Sequence, residues 1–234
     1  MRARSLCSEL DELLIVDESA LDLGVFVAYT LTWKEREVNV DEDAYRDVIE
    51  KVLNELPKRY SLDRLKEDPI VRAYRDFYWR IGIDPTKTRP ASEALVRRVL
   101  RGSFPRINAI VDAGNLASIK TLVPIGLYDL GSVQPPFKLT LSRGGEFFRP
   151  IGGKPEVLPA DVPVLMDSRG VVMHVYPHRD SRESMITEST SEVLVVAAGV
   201  PSVPGALVRE AAEEVVKLLA RIGWGWCGRI CVTP

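Results

Sequence analysis

The spacing of apolar residues along this chain changes at Leu122. Ahead of it they recur every three or four positions, the period of amphipathic helices; beyond it they fall into short runs broken by Gly, Pro and Asp, as strands and turns do. Helices gathered in one stretch and strands in another describe an α+β chain, with helices packed on a mixed, largely antiparallel sheet. One strand is expected ahead of the helices. Leu23 to Thr32 alternates, with Val25, Val27, Tyr29 and Leu31 on one face, the pattern of a half-buried strand.

The first helix follows, with Asp41 placed to cap it and Tyr45, Val48, Ile49, Val52, Leu53 and Leu56 forming its stripe until Pro57 breaks the pattern. Asp68 and Pro69 cap and open a second, whose Tyr74, Phe77, Tyr78 and Ile81 are spaced for packing and which Gly82 ends. Pro90 opens a third at its first position, with Leu95, Val96 and Val99 inward until Gly102, and a fourth spans Ile107 to Ile119. Strands are expected over Lys138–Ser142, Glu146–Arg149, Val162–Met166, Val171–Tyr176 and Glu192–Ala198, and a last amphipathic helix runs from Pro204 to Gly223. With no internal repeat, residues 1–234 read as one domain: a strand-helix part to about residue 85, then a core of motifs and sheet.

At 46% hydrophobic residues the chain can bury a large core, and its 31 basic and 33 acidic residues nearly cancel. No long-range field draws in nucleic acid, so any RNA contact is local, and no DNA partner is expected. The local exception is the run from Lys87 to Arg106, where Lys87, Arg89, Arg97, Arg98, Arg101 and Arg106 face Glu93 alone. Such a helix face is either simply solvated or follows an RNA backbone. Three cysteines are too few for a secreted disulfide framework, and Met1 to Ser5 lacks a signal-peptide core, so a cytoplasmic setting is expected. Cys227 and Cys231 lack the partners a zinc site needs; a disulfide between them stays open. No apolar run approaches membrane-spanning length, and with no Gly-rich phosphate loop, His-Glu-x-x-His or Gly-x-Ser-x-Gly, no cofactor is expected.

More informative is an ordered series of segments: Asp84 to Leu95, Arg106 to Asn115 with its Asp112-Ala-Gly-Asn115, Pro124-Ile-Gly-Leu-Tyr-Asp129, Gly152-Gly-Lys-Pro-Glu156 and Arg179-Asp-Ser181. The series resembles the B3/B4 domain of the phenylalanyl-tRNA synthetase β subunit, and especially its free-standing prokaryotic members, over roughly Leu23 to Arg221. The resemblance implies a B3/B4-like fold and a pocket that receives the aminoacyl 3′ end of tRNA and hydrolyses a wrong ester, in the synthetase one carrying tyrosine in place of phenylalanine. The other reading is a noncatalytic module that binds tRNA or an amino acid in the same pocket. Lacking the synthetase's ATP-binding motifs, the chain alone is no ligase.

Hydrolysis of an already activated ester needs a placed water and groups that hold the ester, not a strong nucleophile or a metal. The catalytic candidates are Asp180, to orient water, and Glu156, the match to a glutamate that reads the tyrosine hydroxyl in the synthetase, here offset by Pro155. Gly153 and Lys154 form either a wall beside Glu156 or a hairpin turn. Arg106 and Asn108 flank a helix start, where free N–H groups favour substrate oxygens. Asn115 is either a ligand-binding or a core-bracing amide, and Arg179, Ser181 and Thr187 form a polar strand exit that either holds the ester or is a surface pair. His178 in that loop is either a base or a solvated side chain. Lys87, Arg89, Arg97, Arg98 and Arg101 are the candidate RNA contacts.

Overall fold

A computed structural model describes residues 2–36 and 44–234. In chain order they form α1 (Arg2–Leu6), β1 (Leu14–Val16), α2 (Glu18–Leu21), β2 (Phe26–Lys34), α3 (Arg46–Arg59), α4 (Pro69–Arg80), α5 (Ala91–Val99), α6 (Ala109–Thr121) and β3 (Ile125–Asp129). There follow β4 (Phe137–Arg143), β5 (Phe147–Phe148), β6 (Glu156–Val157), β7 (Ala160–Met166), β8 (Val172–Val175), β9 (Arg179–Asp180), β10 (Glu192–Gly199), α7 (Gly205–Arg221), β11 (Trp224–Trp226) and β12 (Cys231–Val232). This is the expected α+β arrangement. One sheet has the order β1-β4-β7-β8-β9, parallel only between β1 and β4; an antiparallel sheet has the order β11-β2-β10-β3, with β12 also on β2; β5 and β6 pair as a ribbon. No helix among the described residues is long and apolar enough to cross a membrane.

The capping chemistry of α4 is as its sequence predicts: the Asp68 side chain accepts from the N–H groups of Ile70 and Val71, and Pro69 occupies the first turn. Other expectations need correcting. The strand expected over Leu23 to Thr32 is β2, and it is buried on both faces rather than one, because α7 packs on β2 and β10 while α1 also packs on β2. Pro57 does not end α3, which continues to Arg59: the proline lies on the exposed side of the last turn, where water can satisfy the carbonyl it leaves unpaired. Asp41 lies outside the described residues. Pro90 is the residue before α5, and the Glu146–Arg149 run shrinks to the two residues of β5. Cys227 pairs not with Cys231 but with Cys7, tying the N-terminal helix to the C-terminal tail, while Cys231 is a buried thiol bonded to the Asp11 carboxylate at 2.9 Å.

Buried tyrosines join the layers through their hydroxyls. Tyr74 of α4 donates to the Ala198 carbonyl of β10, and Tyr176, just past β8, donates to the carbonyls of Gly199 and Phe26 at 2.7 and 2.9 Å. Each satisfies a polar group that burial would otherwise penalise. The Tyr176 bonds fix the β8–β9 hairpin of one sheet against β2 and β10 of the other.

Candidate functional site

That hairpin carries the central group. His174 and Asp180 are cross-strand partners in the β8–β9 register, so their side chains share a face, and His174 Nδ1 lies 2.7 Å from Asp180 Oδ1. His174 is almost fully buried and stands edge-on to the rings of Tyr128 and Tyr176. Tyr128 reaches this cluster because Gly126, two residues earlier on the same face of β3, has no side chain: a Cβ there would collide with the Tyr128 hydroxyl. Burial raises the Tyr128 pKa well above that of an ordinary phenol, and the neighbouring Asp180 charge adds to the shift.

Asp180 stands between two cavities. The outer is a cleft of about 620 Å³ whose walls include Arg98, Arg101, Asn115, Ser118, Ile125 and Asp180. The inner is a chamber of about 40 Å³ that shares Ala91, Ile125 and Asp180 with the cleft and is otherwise formed by Tyr128, His174, Tyr176, His178 and aliphatic side chains of the sheets. The floor of the cleft comes from α6, which lies close on β3: a Cβ at Gly114 would stand 2.8 Å from the Leu127 side chain. Ser118 on that helix is buried, and its hydroxyl has no hydrogen-bond partner.

The sequence candidates separate on this geometry. Asp180, Asn115, Arg98 and Arg101 come together at the cleft. Arg97 does not join them: its Nε is 2.8 Å from Glu93, a fully buried carboxylate that also holds Arg75 at 2.9 Å and Arg89 at 4.0 Å. Lys87 is exposed, 3.9 Å from Asp84. Asn108 caps α6, its side chain accepting from the Val111 N–H, while Asp112 accepts from the Ile107 N–H and lies 3.8 Å from Arg106. Burial pushes the Asp112 pKa up, and the Ile107 bond and Arg106 oppose it. Asn108 and Asp112 thus both hydrogen-bond at the start of α6.

Glu156 lies outside both cavities, on β6, paired with Arg179 at 2.5 Å; the Arg179 guanidinium also covers the Phe148 ring. Lys154 and Gly153 sit at the exposed end of the β5–β6 ribbon, where Gly152 has φ +75°, so the glycine pair is turn chemistry. Ser181 is fully buried and accepts from the Glu183 N–H, closing a 3-10 turn. Thr187 hydrogen-bonds within its own turn to Ser189 and Thr190. His178 is not a solvated loop residue: burial, with the charges of His174 and Arg179, lowers its pKa to about 3, and its Nδ1 is buried without a partner. Sequence reading missed His174, Tyr128 and Ser118. Of these, His174 carried a signal as a polar residue in the middle of an apolar strand, and Tyr128 lay in the Pro124 to Asp129 segment without being singled out. Among the described residues no group of three or more His, Cys, Asp or Glu is placed to hold a metal.

No curated protein matches the chain in sequence. Its fold is similar to that of an N-terminal fragment of the phenylalanyl-tRNA synthetase beta-subunit from Pyrococcus horikoshii, with a TM-score of 0.50 and 18% identity over 94% of this chain and 54% of the fragment. The chain thus spans about half the length of that structure. The B3/4 domain family matches residues 73–223, more than half of the chain and a span that contains α5, α6, β3 and the β8–β9 hairpin, and the chain belongs to that family.

Proposed function

We propose that the cleft receives the aminoacyl 3′ end of a tRNA and hydrolyses its ester. The observation that carries this reading is Asp180: a carboxylate held by a buried histidine, between a cleft rimmed by arginines and a small inner chamber. Membership of the B3/4 family and the fold shared with a phenylalanyl-tRNA synthetase fragment supply the tRNA. Arg98 and Arg101 pair with phosphates of the acceptor end. Asp180, one oxygen engaged by His174, takes a proton from water with the other as that water's oxygen attacks the ester carbonyl. Asn115 and the unpartnered Ser118 hydroxyl donate to the developing oxyanion. Collapse breaks the bond to the ribose oxygen, which as it leaves takes the proton that Asp180 drew from water, so that the carboxylate is restored and the free amino acid is released. Glu156, paired with Arg179 outside both cavities, has no part in these steps.

The test is to incubate the purified protein with a panel of correctly and wrongly charged tRNAs and follow loss of the ester. Cleavage of at least one charged tRNA far above its spontaneous rate supports the reading. Binding of tRNA with no ester lost on any member makes the cleft a noncatalytic recognition site.

A further inference from the structure

The chamber behind Asp180 differs from the cleft in size and, beyond the shared Ala91, Ile125 and Asp180, in lining. At about 40 Å³ it holds roughly three water-sized groups, at about 10–15 Å³ each on the same measure. A phenol ring with its hydroxyl has more than twice that many heavy atoms and does not fit without moving the walls. Those walls are mostly apolar, with Val27, Leu139, Leu165, Val196 and Ala198 from the two sheets. The unmet polar atom is His178 Nδ1, buried and unbonded. A buried ring nitrogen without a partner costs free energy that a hydroxyl in the chamber recovers, since a hydroxyl both donates and accepts and so suits either tautomer.

We infer that this chamber is the subsite for the amino-acid side chain, and that it selects a short side chain bearing a hydroxyl, such as serine's, over aromatic and purely aliphatic ones. The inference rests on the cleft holding the ester, because Asp180, Ala91 and Ile125 are the wall common to both spaces and an ester seated on Asp180 directs its side chain inward. Size rejects the aromatic side chain. The unpaired Nδ1 rejects alanine, since an apolar occupant leaves the nitrogen dry and unbonded. From the usual cost of one unsatisfied buried polar group the preference of serine over alanine is roughly 10- to 100-fold.

The decisive probe needs no tRNA. Protein labelled with 15N in its histidine rings is titrated with L-serinamide, L-alaninamide and L-tyrosinamide while the ring nitrogens are followed by NMR. Serinamide is expected to shift the His178 nitrogens at concentrations at least about 10-fold lower than the other two, and His178→Ala is expected to abolish serinamide's advantage over alaninamide. Should His178→Ala fail to fold, the three amides on the unaltered protein decide alone. Equal responses, a stronger response to tyrosinamide, or none of the amides reaching His178 because the chamber holds only water would each overturn the inference. The ester panel keeps the two claims apart. A serinamide response with no ester cleaved retains the subsite and removes the hydrolase, whereas cleavage with aromatic esters preferred retains the hydrolase and removes the subsite.

Discussion

Glu93 and His178 show how single buried groups hold this site together. The Glu93 carboxylate is fully buried between Arg75 of α4 and Arg97 of α5, so it fixes the helix that carries Arg98 and leads into the turn at Arg101. Removing one partner of such a cluster leaves uncompensated charge in a poorly solvated place. Glu93→Gln is expected to lower the unfolding free energy by about 3 kcal/mol, measured by urea denaturation. His178 acts through pH. Its folded pKa is lowered to about 3, whereas the unfolded residue titrates near 6.5, so the unfolded chain binds the extra proton between those values. The contribution is complete above pH 6.5 and is lost as pH falls toward 3. Between pH 7 and pH 5 it amounts to about 1–2 kcal/mol. Urea unfolding at the two pH values is expected to show that loss in the unaltered protein and a smaller one in His178→Gln. Little of this was legible in the sequence, where Glu93 looked like a lone acid in a basic run and His178 like a loop residue; burial imposed by distant elements decided both. The Glu93–Arg97 spacing of four was nonetheless present in the sequence, and it explains why Arg97 turns inward.

Among the elements, the helices were legible because their periodicity and caps are local, as the Asp68-Pro69 start of α4 shows. Of the strands, β4, β7, β8 and β10 were legible as apolar runs between turn residues, but β3 and β9 were not. β3 follows α6 after a brief turn and carries a glycine, and β9 is only two residues long, yet these two bring Tyr128 and Asp180 to the site. Pairing with strands elsewhere in the chain makes them strands, and no local pattern encodes that. The Gly152 to Glu156 segment is a local turn whose chemistry was strong in the sequence, and the ribbon it closes contributes no residue to the lining of the cleft. Of the basic run, Arg98 and Arg101 line the cleft. The double variant Arg98→Ala/Arg101→Ala is expected to weaken tRNA binding and to flatten the dependence of log affinity on log salt by about 1.5, at roughly 0.7 per lost phosphate contact on single-stranded RNA. Binding measured from low to moderate salt checks this, and an unchanged slope would place the RNA elsewhere.

For the molecule as a whole, the α+β class followed from the change of period at Leu122, but the pairing of Cys7 with Cys227 did not, because spacing says nothing about which ends of a chain meet. With a sequence separation of 220, that bond closes almost the entire chain into one loop. On the chain-entropy account its reduction is expected to lower stability by about 5 kcal/mol, seen as a fall in melting temperature with reductant that a Cys7→Ser/Cys227→Ser variant reproduces without it. The site has the same long-range character: Asp180 on a hairpin, Asn115 on α6 and Arg98 on α5 meet only in the folded chain. The most direct test of its assignment is single-turnover deacylation of the best panel substrate by the unaltered protein and by Asp180→Asn, with tRNA affinity measured alongside. The expected result is a rate lowered about 100-fold or more with affinity unchanged. Hydrolysis by Asp180→Asn at the unaltered rate would contradict the account.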